Sequence, residues 1–260
     1  MLRIPPLLMK GRLIFMNSPI CWIGGKKLLR ETLIGMFPEK IDRYIEVFGG
    51  AGWVLFGRDR HAKLEVYNDA EGNLVNLFRC IKYHCGELQK ELEWRLNSRE
   101  DFYNFKDLLD APGFTDIQRS AMFYLLIRIS FGGDRRSFGC NTKNLENALE
   151  KLPEVSKRLN GVVIEHKDFE NLIKVYDRTG ALFYCDPPYH STEKFYDMPF
   201  TEDDHRRLRD VLSVIKGRFL LSYNDDDFVR ELYKDFKIIP VERNNNLSSG
   251  SFKEIIVKNY

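Results

Sequence analysis

Apolar and polar positions change their period several times along the chain, and the changes divide it. Short apolar runs stand at Tyr44–Val47, Leu64–Tyr67, Val162–Glu165, Ala181–Cys185 and Arg218–Ser222. Runs of that length, bounded by polar, glycine or proline positions, predict strands. Phe236–Val241 and Glu254–Tyr260 read as two closing strands around the polar loop Asn244–Gly250. Helical spacing appears at Glu71–Arg79 and Phe169–Tyr176, between strands. From Cys85 to Leu159 no strand pattern occurs. Apolar residues there recur at helical spacing over Glu87–Leu96, Asp101–Leu109, Ile117–Ile129 and Leu145–Leu159. The pattern predicts an α/β domain built from residues 16–84 and 160–260, with a helical domain inserted at 85–159.

Residues 1–15 fit neither part. Leu2, Ile4, Leu7 and Leu8 are apolar, but Pro5-Pro6, Lys10 and Arg12 interrupt them. A secretory signal needs a cleaner apolar core. The segment is expected to be a loose extension, upstream of the biological start.

Composition narrows the class. With 260 residues and 43% hydrophobic positions, the chain can bury a sizeable core. A net charge of +2 does not advertise a nucleic-acid partner, so any such footprint must be local. The five cysteines fit neither a paired disulfide framework nor a zinc spacing. Reduced, structural cysteines in a cytoplasmic protein are the simplest reading. The histidines are scattered, so no metal site is expected. No apolar run is long enough to span a membrane, and no membrane partner is expected.

Candidate chemistry gathers at the ends of the predicted strands. Ala181–Cys185 runs into Asp186-Pro187-Pro188-Tyr189. Two prolines fix their own φ angles and bias Asp186 toward an extended backbone, giving a stiff corner at a strand end. Tyr44–Val47 runs into Phe48-Gly49-Gly50-Ala51-Gly52, where small residues let the backbone turn tightly and approach a ligand. A turn that holds nothing would look the same. Leu64–Tyr67 ends in Asn68-Asp69, and an acid there can accept hydrogen bonds from ribose hydroxyls or cap the next helix.

These motifs resemble the Dam-type, D12 class of DNA adenine N6-methyltransferases, in which the glycine turn precedes the acidic tetrapeptide. Trp22-Ile23-Gly24-Gly25-Lys26 is similar to the N-terminal signature of that class. Phe219–Asn224 resembles the strand and turn that wall its target-base pocket, and Lys253–Tyr260 its last strand. The matches keep the family's order and span about residues 20–260.

The resemblance implies a Rossmann-like class I methyltransferase sheet of seven strands, the last antiparallel, with an inserted helical target-recognition domain. It implies S-adenosyl-L-methionine as donor, no metal, double-stranded DNA as partner and a monomer. Asp186 and the Pro187 carbonyl would accept the two N–H groups of a flipped adenine, with Pro188 stiffening the corner and Tyr189 stacking on the base. Phe48, Gly50 and Gly52 would line the donor's methionine end, and Trp22, Gly24, Gly25, Lys26, Gly49, Ala51 and Asp186 would also contact the donor. Asp69 would meet its ribose and Asp168 its adenine, unless Asp168 only caps the following helix. Lys27 and Arg30 would face solvent or phosphate.

The stretch Arg128–Lys143 carries four cations, one acid, two aromatics and paired glycines. It reads as a recognition hairpin in which arginines grip phosphates or a guanine edge and an aromatic wedges into the base stack; an ordinary solvated loop is the other reading. Its candidates are Arg128, Phe131, Arg135, Arg136, Phe138 and Lys143, with Lys26, Tyr223 and Asn224 added from the base pocket. Cytosine N4 methylation uses the same amine chemistry. A DNA-binding protein without turnover is the alternative from another class, while protein- or RNA-directed relatives favour Asn in place of Asp186.

Overall fold

The computed structural model describes residues 16–95, 97–140, 145–191, 200–244 and 251–260. The expected extension at 1–15, Lys143 and most of the polar loop after Asn244 lie outside the described residues. Seven strands form one sheet: β1 (Arg43–Glu46), β2 (Leu64–Asn68), β3 (Val162–Glu165), β4 (Ala181–Cys185), β5 (Arg218–Asn224), β6 (Lys237–Asn244) and β7 (Ser251–Lys258), in the order β3-β2-β1-β4-β5-β7-β6. The first five pair in parallel, and β7 runs antiparallel to both β5 and β6. This is the Rossmann-like methyltransferase sheet with an antiparallel last strand. All seven strands lie within a few residues of the apolar runs that predict them.

The sheet is covered on both faces, as parallel sheets must be. Successive strand residues point to opposite sides, so Tyr44, Leu182 and Tyr184 enter one hydrophobic cluster while Ile45, Phe183 and Cys185 enter the other. The first face carries α1 (Arg30–Gly35), α2 (Gly72–Tyr83), α3 (Cys85–Glu93), α4 (Arg99–Leu108) and α5 (Asp116–Ile129). It also carries α7 (Leu152–Leu159), which follows the short α6 (Glu146–Leu149). The second face carries α8 (Phe169–Tyr176), α9 (Glu202–Ser213) and α10 (Asp227–Leu232).

Among the described residues, 85–159 carry helices α3 to α7 and no strand of the sheet, and these helices share one continuous core with the sheet. Helix α5 is buried from Ser120 to Ile127, so it reads as a core helix rather than a surface one. At the far end of the insertion, Arg158 of α7 donates to both carboxylate oxygens of Glu65 on β2 at 2.8 Å, and to the carbonyls of Arg58 and Leu55. That pair is almost wholly buried, and its many hydrogen bonds are what make a buried charge pair tolerable.

Three local differences from the sequence reading have plain causes. The single helix expected over Leu145–Leu159 is two, because Pro153 can sit only in a first turn and starts α7 anew. Helices α9 and α10 were not expected; Thr201 with Asp204 makes a capping box for the first, and Asp226 caps the second. Arg30 does not face solvent. It is 8% exposed and donates to the Met16 carbonyl at 3.0 Å, fastening that residue to α1.

Candidate active site and recognition loop

Parallel strands end on one edge, so the polar residues following β1, β2, β3 and β4 are brought together there. Asn68 laces three of these ends. Its side-chain amide donates to the carbonyls of Val47 and Lys167, and its oxygen accepts from the Lys167 N–H. Above this edge lies a cavity of about 410 Å³, within the range of sites for compact organic ligands.

Asp186 follows the end of β4 and lines this cavity. Its Oδ1 lies 2.9 Å from Lys26 Nζ and accepts from Ser222 Oγ at 2.8 Å. Ser222 has one hydroxyl proton and gives it to the carboxylate, so the Tyr184 hydroxyl, 3.2 Å away, is the donor in that contact. A buried relay therefore runs from Tyr184 through Ser222 to Asp186. Lys26 is 4% exposed, also donates to the Gly24 carbonyl, and stands 4.7 Å from the centre of the Tyr189 ring. Lys26 and Ser222 thus hold the same carboxylate oxygen of Asp186 from two elements of the fold. Ser222 and Tyr184 escape a sequence reading because β5 and β4 become neighbours only on folding.

The rest of the corner is mixed. Pro188 lines the cavity, whereas Pro187 and Tyr189 do not. The Tyr189 hydroxyl donates to Glu254 on β7, and its ring packs 5.9 Å from Tyr223. Tyr223 is fully buried, its hydroxyl bonded to His205, so it supports the corner from beneath rather than facing DNA. Asn224 holds the loop beyond the corner by donating to the His190 carbonyl, while the His190 ring stacks on Phe228.

The glycine turn lies across the cavity from this corner. Phe48, Gly49, Gly50 and Ala51 line it, as do Trp22, Gly24, Gly25 and Lys26. Gly52 does not; it turns toward Phe56 and closes the turn. Gly50 has φ of 49°, and a Cβ there would press on Trp22 at 3.0 Å. At Gly49 a Cβ would fall 2.2 Å from the Tyr67 ring. The turn is thus seated hard against two aromatics. Asp69 ties it to β2, with Oδ2 accepting from the Gly50 N–H and Oδ1 from that of Glu71. Burial raises the Asp69 carboxyl, and these N–H groups oppose the rise.

Asp69 does not cap α2; Glu71 does, accepting from Asn73. Asp168 does two things at once. It caps α8 through the N–H groups of Glu170 and Asn171, it lines the cavity, and it is held by Arg207 of α9. Sequence reasoning also missed Glu46, which lines the cavity at the end of β1. Burial pushes its carboxyl up to about 8, although Tyr44 donates to it at 2.6 Å.

The expected recognition hairpin is a tight loop closed by one antiparallel bridge, Ser130 to Phe138. Asp134 braces it by accepting from the N–H groups of Arg136 and Ser137. Its side chains separate sharply. Phe131, next to the bridge, is 73% exposed, and Arg136 is exposed as well. Arg128 stays half-buried in the last turn of α5. Phe138 packs inward against Phe102, with Arg99 over its ring, so it anchors the loop and does not wedge. Arg135 turns inward too. Its guanidinium lies 4.5 Å from the Trp22 ring and 5.2 Å from that of Phe123, and it lines the cavity together with Gly133.

The cavity brings together an acid beside a glycine turn, a second acid with Phe169, and a fixed carboxylate, a lining that could hold a nucleoside-bearing donor. Comparisons with known proteins point the same way. Residues 22–247 match the family model described as D12 class N6 adenine-specific DNA methyltransferase. The chain is similar to a type II methyltransferase of Lactococcus lactis subsp. cremoris, M1.LlaDCHI, with 31% identity covering 92% of this chain and 94% of that protein. It is similar also to the retron Ec67 DNA adenine methylase of Escherichia coli (26%; 92% of this chain, 88% of that one). A third relative is the DNA adenine methylase of Haemophilus influenzae (25%; 91% and 90%). With the glycine turn and the acidic corner facing one another across a single cavity, the chain belongs to the D12 class of N6 adenine-specific DNA methyltransferases.

Proposed function

We propose that this chain methylates N6 of an adenine turned out of double-stranded DNA, acting as a cytoplasmic monomer at a specific site and without a metal. The observation that carries the reading is Asp186, fixed by Lys26 and Ser222 at the rim of the cavity opposite the glycine turn. S-adenosyl-L-methionine supplies a sulfonium-activated methyl group. Trp22, the turn from Phe48 to Ala51, Asp69 and Asp168 hold the donor.

The exocyclic amine of adenine is a poor nucleophile, because its lone pair is delocalised into the ring. Asp186 and the Pro187 carbonyl accept its two N–H bonds. That favours a tetrahedral nitrogen and stabilises the positive charge that grows on it during attack. As the new N–C bond forms, the S–C bond breaks. The methylated nitrogen is then acidic and releases its extra proton, so Asp186 has no need to be a strong base. Lys26 and Ser222 keep the carboxylate aimed throughout.

Removing a base from the stack is costly, and contacts to the duplex must compensate. Phe131 is the wedge candidate, and Arg136 and Arg128 the phosphate or base contacts. The residues 85–159 serve as the recognition domain in this reading. Expression in methylation-free cells, followed by sequencing of their DNA for modified bases, tests the proposal. N6-methyladenine at one short site is expected. N4-methylcytosine would replace the substrate, and unmodified DNA from a protein that still binds donor would leave a DNA-binding protein without turnover.

A further inference from the structure

Arg135 belongs to the loop that reads as the DNA-facing surface, yet its side chain is only 15% exposed and lines the donor cavity. Three observations place it there. Its guanidinium stacks over Trp22, whose own ring lies against the Gly50 turn. It is 3.8 Å from Glu71, the residue that caps α2 just beyond Asp69. With Glu71 and His166 it also lines a second cleft, of about 860 Å³, so these residues form the partition between cleft and cavity. Its backbone sits at φ 57°, a left-handed conformation that side chains seldom adopt and that the Asp134 turn imposes on this loop.

We infer that Arg135 is a donor-site positioning residue rather than a DNA contact, and that through it occupancy of the donor cavity and seating of the loop on DNA are thermodynamically linked. The inference rests on the donor and DNA sites proposed above. Phe131 and Arg136 are exposed, whereas Arg135 and Gly133 of the same loop line the cavity. A ligand that orders Trp22 and the glycine turn also orders Arg135, and with it the loop that carries Phe131. Linkage is reciprocal: a factor gained by the donor from DNA is gained by DNA from the donor. A partly desolvated planar cation over an indole supports an effect on the order of tenfold in affinity.

The test is calorimetric, with S-adenosylhomocysteine and a duplex that the wild type methylates. Arg135→Ala is expected to weaken S-adenosylhomocysteine binding about tenfold in the absence of DNA. It should also abolish the tightening that the ligand confers on duplex binding. Arg136→Ala is expected to weaken duplex binding, with the ligand affinity and the tightening factor both kept. Wild-type ligand affinity in folded Arg135→Ala overturns the inference, as does loss of duplex affinity alone. Should Arg135→Ala fail to fold, Arg135→Lys keeps the charge without the planar stack; wild-type ligand affinity in that variant overturns the inference equally. A wild-type protein that binds no S-adenosylhomocysteine would instead overturn the functional reading, and this inference with it.

Discussion

Ser222→Ala isolates the contribution of the Tyr184–Ser222 relay behind the Asp186 carboxylate, the catalytic group proposed above. The substitution removes the hydroxyl that donates to Asp186 Oδ1 at 2.8 Å in a partly buried contact and accepts from Tyr184 at 3.2 Å in a buried one. A hydrogen bond to a charged group contributes about 1.5–3 kcal/mol, and stranding the Tyr184 hydroxyl costs a further 1–3 kcal/mol or so. The second term acts on stability alone. The first acts on the carboxylate's aim, and Lys26 still holds the same oxygen at 2.9 Å. If half or more of that first term is expressed in the transition state, kcat falls roughly three- to hundredfold, at about 1.4 kcal/mol per decade. Donor affinity should stay near wild type, because Ser222 does not line the cavity. The assay is single-turnover transfer of labelled methyl to a duplex, with thermal unfolding measured in parallel. A variant that loses stability but keeps kcat within about a factor of two would refute the argument and leave Ser222 as scaffold.

Other expectations follow from the same geometry. Asp186→Ala should abolish transfer, but it also strands the buried Lys26 ammonium at a cost of about 3–5 kcal/mol; Asp186→Asn is the cleaner variant, and more than a few per cent of wild-type turnover in it would sink the catalytic assignment. Asp69→Ala should weaken donor binding by roughly 1–3 kcal/mol, through lost ribose contacts and release of the Gly50 turn, as read by calorimetry. Arg158→Ala should destabilise the fold by about 3–5 kcal/mol in denaturant titration, since Glu65 is left charged and buried. Glu46, raised from 4.5 to about 8 by burial, keeps a proton in the native state that the unfolded chain loses. Stability from this group is present in full below pH 4.5 and is lost as pH rises through 8, so Glu46→Gln should flatten the stability profile across that window and stabilise the protein above it.

What the sequence determined by itself was whatever depends on local order. Strand runs such as Ala181–Cys185 carry their period and their flanking prolines within a few residues, and the acids and glycines that follow them sit at strand ends wherever the strands go. The seven strands, the helical stretch between β2 and β3, and the meeting of Asp186 with the glycine turn were legible for that reason, because parallel strands deliver their ends to one edge. Tertiary structure decided everything that depends on which side of the backbone a residue takes, and on which strand lies next to which. Composition cannot tell Arg135 from Arg136; the first, at positive φ, lines the cavity, and the second is exposed. Phe131 and Phe138 are equally apolar, yet only Phe138 finds a core to enter. Ser222 is 36 residues from Asp186 along the chain and 2.8 Å from it in space, a distance set by β5 pairing with β4. Side-chain direction and long-range pairing are properties of the packed chain, and the orientation of the Asp186 carboxylate depends on both.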